Sequence, residues 1–515
     1  MTTTEKSPFP PWLEWEFLRE ECKILNPTID KKLPGTPVEI KIWRDDEYKL
    51  KAEISGKTTE FPPTSQPEQS DAGAILPSFT ISGKTNGDSS TFEIGGCLIG
   101  DHSTHYEPIN AGFPQGTFHA ELRLQRIKII QQKDVPVEWL TEWYINGIKA
   151  DFILFRSTVR TNKEIFSRER KKTKEKPETF DTGESFSGSI DHALIKCEDF
   201  SFIIHTVPEQ FGPAWSNNIG IEYRSEFGRI PSPEERSAIS EIVSFIIGKH
   251  LLKIGYTSYD KSGIPIEKVA VNPWGDNIRH LAQTPPIPPI QIGTEATRGK
   301  IETILPPLVK KYLELKEPLQ LNEVLWRYWI GSELPLGSNI PIMANGIEIL
   351  IKYWFKSQKS KSKGIYLKKD EFDTITQEEF KKIEITLANK PFKEKIMNKL
   401  KDCYKMSLTD QLKFFFEEIG LPLGKTEEDA IRCRHKMIHS SVNMGATEIQ
   451  EIIRLSFAYR CLVHRTVLKI LDYTGTYVDY SMIGFPEKQI DIVVGGPTSG
   501  LELSEKISSS IYRKN

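Results

Sequence analysis

The spacing of apolar residues changes once along the chain, near residue 290, and this change limits the possible folds more than any other feature. Up to about residue 273, apolar and polar residues alternate in short runs, as at residues 38–43, 48–54, 118–130 and 200–205. Alternation of this kind predicts half-buried antiparallel strands. Beyond residue 300 the apolar residues recur at helical spacing. The sequence therefore predicts an α+β fold, with a β-rich, sandwich-like, antiparallel N-terminal domain followed by an all-α C-terminal bundle.

Proline, glycine and serine indicate where the domains begin and end. The stretch Thr284-Pro285-Pro286-Ile287-Pro288-Pro289 predicts a stiff linker over residues 284–297. It separates a β-rich domain at residues 1–283 from a helical domain at residues 298–485, and residues 486–515 are expected to form a flexible tail. Within the first domain, Ser232-Pro233-Glu234-Glu235 predicts the start of one helix. Seven amphipathic helices are predicted after the linker, at residues 301–315, 319–332, 344–357, 377–400, 408–419, 426–439 and 446–474.

The composition excludes several classes of protein. The 515 residues include 68 Lys and Arg and 70 Asp and Glu, so the formal charge is −2 and any basic surface must be local. Six Cys without a CxxC pair exclude a disulfide scaffold and a thiolate zinc site. The sequence shows no signal peptide and no apolar stretch of about 18–20 residues. We therefore expect a soluble, cytoplasmic protein with no membrane segment. Residues 101–105 contain two His and one Asp, and are predicted to form a polar loop rather than a metal site.

The most informative stretch is AIRCRHKMIHSS at residues 430–441. Four residues separate Arg434 from His439, and His435 comes directly after the arginine. These residue types suit cleavage of RNA, in which the 2′-OH is the nucleophile and no external water is needed. Histidine can move protons because its ordinary pKa is about 6.5. Arginine stays charged and can bind the phosphoryl oxygens as negative charge builds on them.

The stretch resembles the R-x4-6-H signature of the HEPN superfamily (higher eukaryotes and prokaryotes nucleotide-binding), whose members are often metal-independent RNases. A β-rich region ahead of one helical unit looks like the ApeA-type anti-phage proteins. The resemblance covers roughly residues 298–485 and is architectural only for the N-terminal half. It implies a HEPN bundle without metal or other cofactor, RNA as substrate, and a homodimer or higher oligomer in which two motifs form one composite site.

Two arginines compete for the catalytic role. On a regular helix of about 100° per residue, positions 434 and 439 lie about 140° apart, whereas positions 432 and 439 lie on nearly the same face. Either Arg432 is the partner of His439 on a straight helix, or the helix is distorted or ends inside the motif. Arg434 is preferred because a polar residue follows the catalytic arginine in the family. Here that residue is His435 where Asn is commoner, so its role is open between proton carrier and hydrogen-bonding positioner.

An earlier helix offers a second pair of candidates, Glu348 and Lys352. Some HEPN RNases extend their signature upstream as E-x3-K, and this chain has Glu348-Ile349-Leu350-Ile351-Lys352. The i, i+4 spacing puts both charges on one helix face. A carboxylate turned towards the core would need a cationic partner, for which Arg434 is the candidate. The alternative is an ordinary surface pair.

A local run of lysines follows the Glu348 helix. Residues 352–369 contain seven Lys and no acidic residue. The run is interpreted either as a flexible exposed loop or as an arm that attracts phosphate groups. In the second interpretation, the RNA-binding residues are Lys356, Lys359, Lys361 and Lys363, together with Arg432 and Lys436 beside the motif.

Three functional hypotheses remain open. The first is a defence ribonuclease that cuts RNA such as tRNA or mRNA in abortive infection, when the N-terminal domain binds a phage-derived trigger. The second is a catalytically idle HEPN scaffold that binds nucleotide or RNA, or holds a dimer together. The third is a recognition module that uses Tyr223, Arg224 and the basic residues 160–178, with the helices as an oligomerisation device.

Overall fold

The structure is a computed structural model of the 515-residue chain. It describes residues 22–25, 27–29, 36–58, 78–84, 90–107, 115–148, 156–160, 165–169, 178–181, 189–207, 213–275, 277–297, 299–357, 359–439 and 446–496, with side chains at all of these except 22, 100–107, 115, 156–191, 295, 435, 436, 438, 439 and 446. Among the described helices, none has the length and hydropathy that crossing a membrane requires.

The chain has the predicted α+β architecture, with strands first and helices after them. It divides into two compact units, and the boundary differs from the predicted linker in one respect. The helix predicted from Ser232 contributes residues 237–246 to the helical unit, although it lies between strands in the sequence. Residues 288–291 of the Pro-rich segment also belong to the helical unit, and Ile290 is fully buried.

The β-rich unit contains seventeen described strands, and every ladder between them is antiparallel. The strands are β1 Cys22–Leu25, β2 Thr28–Ile29, β3 Thr36–Arg44, β4 Leu50–Thr58, β5 Phe79–Lys84, β6 Thr91–Glu107, β7 Gln115–Arg123, β8 Arg126–Ile130, β9 Trp139–Ile145, β10 Arg156–Arg160, β11 Ile165–Glu169, β12 Glu178–Asp181, β13 Ser189–Lys196, β14 Ser201–Val207, β15 Asn218–Arg224, β16 Leu252–Tyr259 and β17 Pro265–Val271.

Strand β6 joins two layers of this unit. Its C-terminal part pairs with β7 in the order β1-β3-β4-β7-β6, and its N-terminal part pairs with β5 and β8. Inward-facing residues of both layers form one core, including Ile40, Ile54, Ile81, Ile94 and Leu122. The alternation of buried and exposed residues along β4 is the pattern from which strands were predicted.

Two predictions in the β-rich unit are wrong. The run at residues 118–130 is two strands, β7 and β8, which separate at Leu124 and Gln125. Residues 101–105 are part of β6 rather than a loop, because pairing with β7 continues through them to Glu107. Polar sequence alone did not reveal that pairing, since strand structure depends on the neighbouring strand as much as on propensity.

The helices are α1 Pro233–Ile247, α2 Ile278–Gln283, α3 Lys300–Leu319, α4 Leu321–Glu333, α5 Asn339–Lys356, α6 Lys369–Thr386, α7 Lys393–Lys401, α8 Leu408–Glu418, α9 Lys425–His439 and α10 Ala446–Ile470, and a short hairpin, β18 Thr476–Val478 and β19 Glu487–Gln489, follows α10. At the start of α1, Ser232 Oγ accepts from the Glu235 N–H at 3.2 Å, and Glu235 accepts from the Ser232 N–H at 2.8 Å. This reciprocal capping box explains why the helix begins there.

Two predictions in the helical unit are also wrong. The helix predicted at residues 377–400 is two helices, α6 and α7, because Pro391 has no N–H to donate and Phe392 takes a left-handed φ of 69°. The flexible tail predicted from residue 486 is packed as far as residue 496. There, β19 pairs with β18 and the buried Lys488 ammonium lies 2.6 Å from Asp479. Residues 497–515 lie outside the described residues.

Candidate active site

Helix α9 carries the R-x4-H motif and buries one stripe of its surface. Glu427, Ala430, Cys433 and Arg434 are buried, at the i, i+3, i+6, i+7 spacing that places residues on one face. Arg432 lies off this stripe. Because Arg434 belongs to the buried stripe, its side chain points towards the neighbouring helices rather than into open solvent.

Arg434 forms an ion pair with Glu348 of α5. Its Nη1 donates to Glu348 Oε1, and the two side chains retain 11% and 31% of their accessible surface. The two residues are 86 positions apart in sequence. The cationic partner expected for a core-facing Glu348 is therefore present. Burial raises the pKa of Tyr459, a buried α10 residue that interacts electrostatically with Arg434.

Lys352 follows Glu348 by one turn of α5 and is exposed. Its ammonium lies 5.8 Å from the ring centroid of Tyr353, and the ammonium of Lys356 lies 5.4 Å from the same ring. The i, i+4 arrangement thus gives one carboxylate engaged with Arg434 and one cation facing solvent. An anion that reached this part of α5 would meet Lys352 first.

Arg432, the competing arginine, has a different environment. Its side chain is 67% exposed, and its Nη2 lies 2.9 Å from Asp429 Oδ1 and 3.7 Å from Glu428 Oε2. Both contacts are local pairs on the same helix, which are worth little in water. Of the two arginines, Arg434 is the one held by a distant element.

The helix α9 remains helical as far as His439. Positions 434 and 439 are therefore about 140° apart around its axis, as expected for a regular helix of about 100° per residue. The side chains of His435, Lys436 and His439 lie outside the described residues. Of the two alternatives, a straight helix agrees with the described backbone, and a helix that is distorted or ends inside the motif does not.

The connection between α4 and α5 packs against α9 and α10, and this contact was not predicted. The Gly337 N–H lies 3.0 Å from both Ser456 Oγ of α10 and Asn339 Oδ1 of α5. Gly337 has a φ of +94°, and a Cβ added there would lie 3.0 Å from Ile452 of α10 and 3.5 Å from Met437 of α9. In the sequence, only the glycine after Leu334-Pro335-Leu336 marks this connection. Glycine is common in any turn, so it does not predict the packing against α9 and α10.

A second ion pair near the start of α9 was not predicted. Arg465 of α10 pairs with Glu427, and both side chains are fully buried. The guanidinium also donates to the carbonyl oxygen of Ile490 at 2.9 and 3.1 Å and to that of Pro422 at 3.2 Å. Burial raises the pKa of Glu427. Arg465 and the N–H groups of Gly424 and Val494 lower this pKa by a smaller amount, so it stays above its ordinary value.

The lysine run at residues 352–369 is not a flexible loop over its described residues. After α5, the carboxylate of Glu418 accepts hydrogen bonds from Trp354 Nε1 at 2.7 Å and from the N–H groups of Lys361 and Ser362 at 3.1 and 3.0 Å. Burial raises the pKa of Glu418, but these hydrogen bonds outweigh it and hold the pKa below 4.5. All seven lysines of the run are exposed, namely Lys352, Lys356, Lys359, Lys361, Lys363, Lys368 and Lys369.

The residues proposed for recognition in the β-rich unit are buried. Tyr223 has no exposed surface, and Arg224 is 7% exposed. Arg224 donates to Glu222 at 2.6 Å and to Glu226 at 3.0 Å, and its guanidinium lies 4.1 Å from the ring centroid of Trp139. These residues hold the sheet together, so they do not form an open recognition surface. Residues 161–164 and 170–177 lie outside the described residues.

The described residues contain no group of three or more His, Cys, Asp or Glu side chains placed to hold a metal ion. What they bring together is a half-buried ion pair on α5 and α9, an exposed lysine one turn away, and a packed support from the α4–α5 connection and α10. Such an arrangement can bind an anion and orient a guanidinium towards it. No family model matches the chain, and no curated protein and no solved structure matches it either.

Proposed function

We propose that the protein is a metal-independent endoribonuclease of the HEPN type. The observation that carries the proposal is the ion pair between Arg434 and Glu348, since it joins the two parts of the signature, E-x3-K and R-x4-H, across 86 residues. If both patterns were matched by chance, contact between their residues in the folded chain would not be expected. The predicted all-α HEPN bundle at residues 298–485 is part of this proposal.

The reaction follows from the residue types. A histidine of the motif removes the proton of the 2′-OH, and O2′ attacks the adjacent phosphorus in line. The bond from phosphorus to O5′ breaks, and a second proton carrier protonates O5′. The products are a 2′,3′-cyclic phosphate and a 5′-hydroxyl. His439 and His435 are the proton carriers in this scheme, and Arg434, with Lys352 beside it, neutralises the charge on the phosphoryl oxygens.

The proposed active unit is a homodimer, or a higher assembly of such dimers, with residues 426–445 of two chains facing each other. One chain supplies one Arg434 and one His439, and two-fold pairing doubles both without new sequence. The proposed setting is anti-phage defence, with tRNA or mRNA as substrate and a phage-derived trigger bound by the β-rich unit. Activity in a resting cell would harm the host, so cleavage would be held back until the trigger binds.

Two assays test this proposal. Purified protein is incubated with total cellular RNA in EDTA, and the expected result is cleavage that does not require a divalent ion. Activity that disappears in EDTA and returns with Mg²⁺ contradicts the metal-independent mechanism. For the composite site, chains with His439→Ala and chains with Arg434→Ala are co-expressed. Mixed dimers should differ from the average of the two parents, whereas simple averaging removes the shared site.

The second function, an idle HEPN scaffold, is favoured by one observation. Glu348 already neutralises Arg434, and position 439 lies about 140° away on a regular helix. In this case the pair would hold α5 against α9 or bind nucleotide without cleavage. His439→Ala separates the two functions. Loss of cleavage with unchanged dimerisation supports the enzyme, and no change in either property supports the scaffold.

A further inference from the structure

A second basic segment lies outside every predicted site. Residues 390–405, which include α7, contain six Lys and two acidic residues, so they carry a net charge of +4. Five of the six lysines are exposed, and Lys393 is half-buried. Within the helical unit this is the counterpart of the lysine run at residues 352–369, which carries +7.

Backbone pairing brings the two basic segments together. Ile365 and Lys405 form an antiparallel bridge, and the Tyr366 N–H donates to the Tyr404 carbonyl oxygen at 2.8 Å. The Met406 N–H donates to the Gly364 carbonyl oxygen at 3.1 Å. Thirteen lysines of residues 352–369 and 390–405 therefore belong to one connected region, called the lysine surface below.

Aromatic rings lie among these lysines. Phe392 is 68% exposed and Tyr366 is 49% exposed. The ammonium of Lys395 lies 5.6 Å from the Phe392 ring centroid, and that of Lys405 lies 5.5 Å from the Tyr404 ring centroid. Rings that lie beside ammonium groups can stack on unpaired bases while the lysines contact phosphate groups.

The junction of the two segments contains a cavity of about 670 Å³. Its lining includes Lys369 from the end of the first segment, and Lys401 and Lys405 from the second. Phe380 and Tyr404 add ring faces, and Asp373, Glu384 and Asp402 add hydrogen-bond acceptors. Ammonium groups suit phosphates, rings suit base stacking, and carboxylates accept from base amino groups.

We propose that the lysine surface binds single-stranded RNA and leads it to the Arg434–Glu348 pair. The proposal rests on the proposed ribonuclease function, for which it names the substrate form and its path. The surface begins at Lys352, one turn of α5 beyond Glu348, and Lys356 is one further turn along, about 12 Å from Glu348 at about 1.5 Å per residue. Stacking on aromatic side chains requires unpaired bases, so a duplex would lose that part of the affinity.

Charge supplies the sequence-independent part of this binding. Each lysine that neutralises a phosphate of a single strand releases counterions and steepens the dependence of affinity on salt by about 0.7 in the logarithmic slope. The anchoring of residues 360–362 by Glu418 lowers the cost of binding, because the loop is already ordered before RNA arrives.

The first experiment measures binding to a 20-nucleotide single-stranded DNA and to RNA of the same sequence, in EDTA at several salt concentrations. The DNA has no 2′-OH and cannot be cleaved by the proposed reaction, so its binding is independent of catalysis. Lys401→Gln/Lys405→Gln is compared with Lys310→Gln/Lys425→Gln, a pair of exposed lysines elsewhere with the same change in charge. The first pair should weaken binding about tenfold at 0.1 M salt and flatten the slope by about 1.4. The control pair should match the wild type.

The second experiment isolates the stacking contribution. Phe392→Ala should weaken binding to single strands about tenfold without changing the salt slope, since no phosphate contact is lost. Ile385→Ala is the matched control, because Ile385 is an apolar residue of α6 that is 75% exposed and has no ring. Its affinity should equal that of the wild type. Both variants change exposed side chains, so circular dichroism should show an unaltered fold.

The outcomes separate the lysine surface from the ribonuclease. Normal binding by Lys401→Gln/Lys405→Gln and by Phe392→Ala overturns the lysine surface, even if the protein cleaves RNA. Reduced binding of the DNA by both variants supports the surface, even if the wild type does not cleave. A rival partner is a second copy of the chain, because α6 carries six acids and three lysines and would complement α7. Sedimentation that shows dissociation of these variants, with RNA affinity unchanged, would identify a protein interface and overturn the proposal.

Discussion

Helix α9 forms an ion pair towards each of its ends, and the two pairs differ in what surrounds them. Near the start, Glu427 and Arg465 have no accessible surface, and Arg465 also satisfies the carbonyl oxygens of Ile490 and Pro422. Further along, Arg434 and Glu348 keep 11% and 31% of their surface, and an exposed lysine lies one turn away.

This difference in exposure distinguishes a purely structural ion pair from a candidate anion-binding site. A buried pair with all its hydrogen bonds made has no capacity left for a ligand, and its contribution is to hold α9, α10 and residues 490–494 together. The half-buried pair can exchange part of its interaction for an anion, because the Glu348 side chain keeps 31% of its surface and Lys352 is exposed.

The largest effect is expected for Arg465→Met. The substitution leaves the Glu427 carboxylate buried without its cation, which should lower the free energy of unfolding of the helical unit by about 3–5 kcal/mol. Urea denaturation followed by circular dichroism measures the change. Arg454→Met removes an exposed i, i+3 partner of Glu451 and should cost no more than about 1 kcal/mol. Equal decreases in the free energy of unfolding of the two variants would show that the buried pair contributes no more to stability than an exposed one.

Arg434→Ala should reduce RNA cleavage about a hundredfold or more, since the proposed contact between its guanidinium and the phosphoryl group would be lost. Arg432→Ala is the control, because Arg432 is exposed and its ion-pair partners among the described residues, Asp429 and Glu428, lie on its own helix. Its rate at saturating RNA should stay within about threefold of the wild type, because a surface charge that only helps to bind RNA changes the affinity rather than this rate. A large loss in Arg432→Ala with little loss in Arg434→Ala would assign the reaction to the other arginine.

Glu348→Gln tests whether Glu348 positions Arg434. The amide can still accept a hydrogen bond but no longer attracts the guanidinium as a charge, so kcat should fall roughly tenfold with little change in KM. Glu348→Asp should recover part of kcat. A purely structural role would lower the thermal stability of both variants and leave kcat at 25 °C unchanged.

A smaller, pH-dependent effect is expected at the anchor of the lysine run. The pKa of Glu418 is held below 4.5 in the folded protein, so its ionised form stabilises the fold fully above pH 4.5, and this contribution is lost as the pH falls through the folded pKa. Glu418→Gln should therefore be less stable than the wild type by about 1 kcal/mol at neutral pH. The stabilities of the two proteins should converge as the pH falls through the folded pKa of Glu418, and a gap that does not change with pH would contradict the assignment.

Most helices of the C-terminal half were predictable, because each repeats its apolar residues at helical spacing over several turns, as α10 does. The Glu348–Arg434 contact was also predictable, since a carboxylate turned towards a core needs a cation. Glu427–Arg465 was not, because nothing in the local sequence indicates which of many charged residues meet across 38 positions. The anchoring of residues 360–362 by Glu418 escaped prediction for the same reason.

The strands show a similar limit. The apolar runs predicted β3 and β4, which bury one face, and β14, which is buried on both faces. Residues 101–105 instead gain their strand structure from pairing with β7 rather than from their own composition. In the same way, the lysine surface could not be predicted from local sequence. It depends on the bridge between Ile365 and Lys405, which joins two segments that are separate in the sequence.

The chemistry of the cut ends is the most direct test of metal-independent RNA cleavage that depends on Arg434. A 20-nucleotide RNA is incubated in EDTA with the wild type or with Arg434→Ala, and the products are weighed by mass spectrometry. A second oligonucleotide carries 2′-deoxyribose at the cleaved position. Attack by the 2′-OH should give 2′,3′-cyclic phosphate and 5′-hydroxyl ends with the wild type, almost none with Arg434→Ala, and none from the deoxy-substituted strand. Ends with a 5′-phosphate, cleavage at the deoxy position, or equal cleavage by both proteins would contradict it.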